Sequence, residues 1–184
     1  MPGSIRELWP QVFEAFAGVD AVLHAGDLHT LEIVDRLCEI APTWVSTGNG
    51  DVGIVDKRLA DTWTIDFDEL RVGMIHRLPS PARKSAEHLT GYVERHFGDT
   101  SHHVVIYGHT HLESIHRVED TVYINPGSPT LPQNQSLRLG TIATLEIVGS
   151  EMTATVLQLT DHGIEPHATI EPYRAVLGAA SLPS

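Results

Sequence analysis

The sequence predicts an α/β protein whose sheet is covered by helices, and three observations lead to this expectation. Short apolar runs that fit buried strands alternate with helical patterns through the first hundred residues. The second half consists mainly of paired apolar runs around two-residue turns, which is typical of β-hairpins. Several predicted strands end in a glycine followed by an aspartate, asparagine or histidine, as expected where an α/β sheet forms a site.

The helices are predicted where apolar residues recur at helical spacing. Ser4 is expected to cap the first helix and Gly18 to end it, while Thr30 caps the second. Pro81 lies at the start of the longest helix, and Gly98 ends it. The predicted helices span residues 5–17, 31–37, 54–60 and 81–97.

The strands are predicted from short apolar or alternating runs bounded by turn residues. They span residues 21–24, 43–46, 62–67, 70–75, 103–107, 114–118, 121–124, 141–148 and 152–159. No repeat or linker divides the chain, so one domain over residues 1–160 is expected. Residues 161–184 are rich in Pro, Gly, His and Ala and are predicted to form a loose tail.

The composition is that of a folded domain. The chain has 184 residues, of which 41% are hydrophobic and 20% are charged, which disfavours wholesale disorder. No apolar run is long enough to span a membrane, and no signal peptide is recognised. The net charge of -12 disfavours binding to nucleic acid or an anionic membrane. The single cysteine, Cys38, excludes an internal disulfide and favours a cytoplasmic protein.

Polar side chains at the ends of four predicted strands suggest a metal site. These residues are Asp27, Asn49, His76, His109 and His111. Because the carboxyl ends of parallel strands meet at one edge of a sheet, the side chains are expected to lie close together. A mixed set of nitrogen and oxygen ligands suits Mn, Fe, Zn or Ni better than Ca.

Each of these fragments alone more often has a structural role. Gly-Asp and Gly-Asn-Gly-Asp are usually turns, and a histidine at a strand end is usually a partly buried packing residue. The pair His109 and His111 is a stronger signal, because alternation along an extended chain places both imidazoles on one side. The metal interpretation depends on all four fragments lying at strand ends.

The same residues belong to five stretches that together resemble one protein family. The stretches are His24-Ala25-Gly26-Asp27, Gly48-Asn49-Gly50-Asp51, Val72-Gly73-Met74-Ile75-His76, Gly108-His109-Thr110-His111 and Asn125-Pro126-Gly127-Ser128-Pro129. In these residues and their order, residues 1–160 resemble the calcineurin-like metallophosphoesterases, in particular the small YfcE-type phosphodiesterases. The resemblance implies a four-layer αββα sandwich of two mixed sheets.

The resemblance also implies a site with two divalent metal ions and a role for each residue. Asp27 would bridge the ions, Asn49, His76 and His109 would complete one of them, and His111 would belong to the other. Mn is the expected metal, with Ni, Fe, Zn or Mg as alternatives. The implied reaction is hydrolysis of a phosphodiester by a metal-bridged hydroxide, with a small phosphate ester as substrate.

The chain departs from the family pattern at its beginning. Relatives open with a strand that ends in Asp-x-His and supplies the remaining ligands, whereas Met1-Pro2-Gly3 resembles the stretch after that motif. One expectation is that the natural polypeptide starts upstream, because losing a central strand would leave backbone groups unpaired. The other is that the chain, as a truncated domain, binds one metal or none.

Two further residues have open interpretations. Arg77 directly follows His76 and would either meet a substrate phosphate or be a solvated arginine. Asp51 would either protonate the leaving group or stabilise a turn.

Two other functions are weighed against the phosphoesterase. The retromer scaffold subunit is similar in fold, so a non-catalytic interaction module is the main alternative; the retained ligand residues favour an enzyme. A nuclease is disfavoured by the net charge of -12 and by the lack of a basic stripe. A homo-oligomer is left open.

Overall fold

The computed structural model describes residues 7–98 and 101–177. Its helices are α1 (Pro10–Ala15), α2 (Leu31–Cys38) and α3 (Ala86–Phe97). Its strands are β1 (Val22–His24), β2 (Thr43–Ser46), β3 (Leu59–Ala60), β4 (Thr62–Phe67), β5 (Leu70–Ile75), β6 (Val104–Tyr107), β7 (Ser114–Val118), β8 (Thr121–Asn125), β9 (Thr141–Val148), β10 (Glu151–Thr160), β11 (Gly163–Pro166) and β12 (Tyr173–Val176). Short 3-10 turns lie at Asn49–Asp51 and Gln135–Leu137.

The described strands form three hydrogen-bonded sheets. A five-stranded sheet has the order β4-β5-β6-β8-β7, with parallel central strands and an antiparallel strand at each edge. A second sheet contains β1, β2 and β3, all parallel. In the third sheet, β9, β11 and β12 each pair antiparallel with β10.

The alternation of side chains shows how these sheets are layered. Along β6, Val104 belongs to the core between the sheets, whereas Val105 belongs to the core beneath α3. Val22 of β1 and Ile142 of β9 both face the helices α1 and α2, and the next residue of each strand faces the five-stranded sheet. The order of layers is therefore α1 and α2, the two smaller sheets side by side, the five-stranded sheet, and α3.

This arrangement confirms the predicted α/β sandwich with helices outside. One layer differs in detail, because it consists of a parallel and an antiparallel sheet rather than one mixed sheet. The division arises because β1 pairs with β2 and β9 pairs with β10, but β1 and β9 do not pair with each other. Within the described ranges, no helix is long and apolar enough to cross a membrane.

Local signals placed most of the early elements correctly. The side chain of Thr30 accepts a hydrogen bond from the backbone of Glu32 at the start of α2, as predicted for a cap. Gly98 ends α3 with a left-handed φ of 71°, which glycine adopts without steric cost. The first helix begins later than predicted, at Pro10, because Trp9 is extended. Ser4, its predicted cap, lies outside the described residues.

Two predicted helices were wrong in position or type. Residues 54–60 form a loop and β3 rather than a helix, because Val45 donates a backbone hydrogen bond to Arg58 and Thr47 donates one to Ala60. These long-range bonds draw the segment into the sheet as a parallel strand. The longest helix begins after Ser85, whose hydroxyl accepts a hydrogen bond from the backbone of His88, and not at Pro81.

The prediction of a loose tail was also wrong for the residues described. Residues 163–166 pair with one end of β10, and residues 173–176 pair with its other end. His167 donates its backbone N–H to Val156, and Leu177 donates to Ser150. The segment is therefore held by the backbone groups of β10, which the composition of the segment itself does not reveal.

Candidate metal centre

Four strands end at the same edge of the sandwich, and each is followed by a polar side chain. Asp27 follows β1 and Asn49 follows β2, whereas His76 follows β5 and His109 follows β6. Because β1 and β2 are parallel in one layer and β5 and β6 are parallel in the other, these four ends meet across the interface between layers. A hydrogen bond of 2.7 Å between His76 Nδ1 and the Ala25 carbonyl oxygen joins the layers here.

Four side chains at this edge, called here the metal cluster, point acceptor atoms toward one another. They are Asp27, Asn49, His76 and His109. A carbonyl oxygen only accepts, so His76 Nδ1 donates its proton to the Ala25 carbonyl, and in the neutral imidazole His76 Nε2 then carries the lone pair. That Nε2 lies 3.2 Å from Asn49 Oδ1 and 3.5 Å from Asp27 Oδ2.

The remaining imidazole of the metal cluster completes the donor set. His109 Nδ1 lies 3.2 Å from His76 Nε2. One ligand atom from each of Asp27, His76 and His109 lies within 4.8 Å of the other two. With His76 neutral, its Nε2 and the two facing oxygens, Asn49 Oδ1 and Asp27 Oδ2, are all acceptors and have no hydrogen to share. The residues present therefore fit a divalent cation.

Close backbone approach makes this convergence possible at two glycines. A Cβ at Gly26 would lie 2.5 Å from His76 Nδ1 and 2.6 Å from the Ser46 carbonyl oxygen. A Cβ at Gly48 would collide with the backbone nitrogen and the carboxylate of Asp27. Any larger residue at either position would push the candidate ligands His76 and Asp27 away from their neighbours.

Backbone strain is concentrated at the same edge. Asp27, His29, His109 and His111 all have left-handed φ values, of 60°, 60°, 67° and 54°. Such conformations cost a non-glycine residue about 1–3 kcal/mol and persist only where surrounding interactions hold them.

Asp51 provides some of the interactions that hold these left-handed residues in place. Its carboxylate is buried, with 1% of the residue exposed, and it accepts hydrogen bonds from three backbone N–H groups. These belong to Asp27 at 2.9 Å, His29 at 2.9 Å and Gly48 at 2.8 Å. Asp51 is thus engaged in positioning the loops, which favours the turn role over that of a proton donor.

Burial favours the neutral imidazole at two histidines of this edge, His109 and His24. Burial lowers the pKa of His109, and the nearby positive charge of Arg77 lowers it further. Burial also lowers the pKa of His24, although Asp51 and Asp27 partly oppose this shift. A neutral imidazole is the form that coordinates a metal, so the lowered pKa of His109 favours its role as a ligand.

His111 lies beside the metal cluster rather than within it. Its Nδ1 is 2.7 Å from the carbonyl oxygen of Leu131. Its side chain and that of Asp27 line a cavity of about 140 Å³ that runs between the edges of β1 and β9. The deeper wall of this cavity is apolar and includes Val12 and Ile142.

The structure thus brings four of the five predicted ligands together and sets His111 to one side. Arg77 is exposed, and its charge is close enough to His109 to affect the pKa of that imidazole. The sequence did not reveal the contribution of the Ala25 carbonyl, and for Asp51 it left two roles open, protonation of the leaving group and stabilisation of a turn. One signal could have indicated the turn role of Asp51. Asp51 lies three residues after Gly48, which is the spacing of a side-chain cap on a 3-10 turn.

Comparison with known proteins identifies the class to which this fold and site belong. The family model described as the calcineurin-like phosphoesterase superfamily domain matches residues 4–150, and the chain belongs to this superfamily. The chain is 34% identical over 161 residues to a probable metallophosphoesterase of Methanothermobacter thermautotrophicus, covering 86% of this chain and 87% of that protein. The family resemblance seen in the sequence is therefore confirmed.

Solved structures share the fold at lower sequence identity. Vacuolar Protein Sorting 29 of Cryptosporidium parvum matches with a TM-score of 0.72 and 17% identity, over 93% of this chain and 90% of that chain. Wild-type Vps29 of Entamoeba histolytica complexed with Zn²⁺ matches with a TM-score of 0.62 and 24% identity, over 91% and 89% of the two chains. These similarities show that the fold is shared.

Proposed function

We propose that this protein is a metal-dependent phosphoesterase that hydrolyses small phosphodiesters. The observation that carries the proposal is the convergence of lone pairs from Asp27, Asn49 and His76 at the edge where four strands end. A structural hydrogen-bond network would pair donors with acceptors, whereas with His76 neutral and its proton on Nδ1 these three groups present only acceptors to one another. Membership of the calcineurin-like superfamily supports the same interpretation.

The metal cluster would hold one divalent ion, and Asp27 with His111 would contribute to a second. Mn²⁺ is the proposed ion, since a mixed nitrogen and oxygen set accepts it; Ni, Fe, Zn and Mg are alternatives for the same site. When bound, such an ion activates water at neutral pH and offsets charge on the phosphoryl oxygens.

The side chains of this protein would orient the ligands and attract the substrate. The Ala25 carbonyl holds the His76 ring and its tautomer, and Asp51 holds the loop that carries Asp27. Arg77 is the exposed cation next to the metal cluster, and we propose that it attracts the phosphate. The overall net charge of -12 favours a small ester over a nucleic acid.

The test is metal-dependent turnover of an aryl phosphodiester. We expect activity with added Mn²⁺, and loss of activity together with loss of bound metal in Asp27→Ala and His109→Ala. His96→Ala is the matched control, because His96 is exposed near the C-terminal end of α3, where the chain returns to the opposite edge of the sheet. Activity that is unchanged in either ligand variant would overturn the proposal.

A non-catalytic interaction module is the second candidate. It is supported by the fold shared with Vps29 proteins and by the exposed apolar side chains Val52 and Val55, which are 86% and 92% exposed. A module of this kind has no need for converging metal ligands, so the metal cluster favours the enzyme. Purification as a stoichiometric protein complex without bound metal, and without turnover on added Mn²⁺, would favour the module.

A further inference from the structure

His29 lies at the edge of the metal centre and has features that metal ligation does not explain. It follows Asp27 by two residues and lines the cavity that also contains Asp27, His109 and His111. The residue is exposed. Among the described residues, no hydrogen bond or ion pair engages the imidazole.

The backbone of His29 is held in an unfavourable conformation. Its φ is 60°, in the left-handed region that a histidine adopts at a cost. The conformation is maintained because its N–H donates to Asp51 Oδ1 at 2.9 Å, and because the N–H of Thr30 turns back to the Leu28 carbonyl at 2.7 Å. A glycine would satisfy both hydrogen bonds without strain, so stability does not explain a histidine here.

The turn directs the His29 ring over Gly50, next to the metal ligand Asn49. A Cβ added at Gly50 would collide with His29 Cε1 and would lie 2.8 Å from His29 Nδ1 and 2.9 Å from His29 Nε2. The imidazole therefore occupies the space that a side chain at position 50 would fill. Gly50 itself is tied to the cluster, because its N–H donates to Asp27 Oδ1 at 2.7 Å.

We propose that the His29 imidazole donates a hydrogen bond to an oxygen of the phosphate ester bound at the metal centre. At least one ring N–H is available in either protonation state, and no protein group competes for it among the residues described. The proposal rests on the phosphoesterase function proposed above and adds a substrate-contacting residue to it. It also explains why a strained histidine is present at a position where glycine would adopt the same left-handed backbone without strain.

The main test uses His29→Gly, which keeps the left-handed backbone and removes only the ring. We expect kcat/KM for an aryl phosphodiester to fall about 10- to 100-fold, the usual loss for a hydrogen bond to a charged group. The affinity of the Mn²⁺-loaded protein for inorganic phosphate, measured by calorimetry, should fall in parallel. Bound Mn²⁺ should be unchanged, and the Tm should be equal to or higher than that of the unchanged protein.

A second variant moves the ring without altering it. Gly50→Ala should displace the His29 imidazole and lower kcat/KM. In the His29→Gly background the same change should have no further effect, because the ring it displaces is gone. His29→Asn, which keeps a short N–H donor and tolerates the left-handed region, should recover part of the phosphate affinity.

Each outcome decides between the two proposals. Turnover with unchanged kcat/KM and phosphate affinity in His29→Gly overturns the role of His29 and leaves the phosphoesterase intact. Loss of Mn²⁺ in that variant overturns it too, since His29 would then support the metal. If the unchanged protein binds Mn²⁺ without turnover, the phosphoesterase proposal falls and phosphate affinity alone decides the role of His29. If it binds neither Mn²⁺ nor phosphate, both proposals fall.

Discussion

The metal cluster and the neighbourhood of His111 differ in how the fold builds them. In the metal cluster, four side chains come from four strand ends that parallel pairing aligns, and the distances from His76 Nε2 to its neighbours are 3.2–3.5 Å. His111 comes from the same loop as His109, but its ring nitrogen contacts the Leu131 carbonyl and faces an open cavity. Strand pairing therefore produces a dense donor set on one side only.

The difference shows that side-chain donor atoms lie closest together where the strands that carry them are paired. β5 and β6 are held together by parallel hydrogen bonds up to the last residue of each strand, and β1 and β2 are paired throughout β1. By contrast, β1 and β9 face each other across the cavity without pairing. Residues at paired ends are fixed relative to one another, whereas His111 is held by hydrogen bonds with Leu131 and Gln133 of a separate loop.

The largest expected effect is that of His76→Ala. His76 is the central member of the metal cluster, so its loss removes the nitrogen nearest to Asn49, Asp27 and His109. Mn²⁺ affinity should fall by more than the roughly 10- to 100-fold typical of residues that only orient a ligand. Calorimetric titration with Mn²⁺ measures this, and unchanged affinity would mean that the cluster is not the binding site.

Asp51→Ala should destabilise the loops that carry the metal cluster. The change leaves three backbone N–H groups without their acceptor in a buried place, at a cost of about 2–4 kcal/mol. Urea unfolding of the metal-free protein measures the loss. Asp61→Ala, at an exposed residue, is the control and should change stability by less than about 0.5 kcal/mol. Equal effects of the two variants would contradict the role of Asp51.

His111→Ala tests whether the residue beside the metal cluster contributes to binding of the first metal ion. We expect the affinity for the first Mn²⁺ to stay within about threefold of that of the unchanged protein, because His111 lies outside the metal cluster. This change is well below the roughly 10- to 100-fold loss expected for a residue that orients a ligand. Any second Mn²⁺ should be lost, and turnover should fall if two ions are needed. Loss of the first ion in this variant would show that the two sides form one unit.

The pH dependence of stability should give the smallest effect. Burial lowers the pKa of His24 in the folded state, so the unfolded chain binds a proton near pH 6.5 while the folded protein does not. Stability of the metal-free protein is then complete above pH 6.5 and is lost as the pH falls below it. The lowered pKa of His109 acts in the same direction.

Unfolding at pH 7.5 and 5.5 measures this dependence. His24→Gln keeps a hydrogen-bond acceptor for the Gly26 N–H but cannot be protonated, so it should reduce the loss of stability between these pH values. An identical loss in the variant and the unchanged protein would assign the dependence to other groups.

The sequence by itself determined those elements whose signals are local. Three strands begin and end at the residues that hydrophobic alternation and turn residues predicted for them: Thr43–Ser46, Thr62–Phe67 and Leu70–Ile75. It also indicated which side chains lie at the strand ends, because each candidate ligand follows a short apolar run, His76 directly and the others after a turn. The family resemblance depended on these same local stretches.

Only the tertiary structure decided the features that depend on distant backbone. β3 and β12 form because β2 and β10 offer unpaired backbone groups, and neither segment carries a strand signal of its own. The tautomer of His76 depends on the Ala25 carbonyl, which is 51 residues away in the chain. The space that His29 fills depends on a glycine in another loop. Sequence patterns record the preferences of neighbouring residues, whereas these features are set by which backbone atoms the fold brings within hydrogen-bond distance.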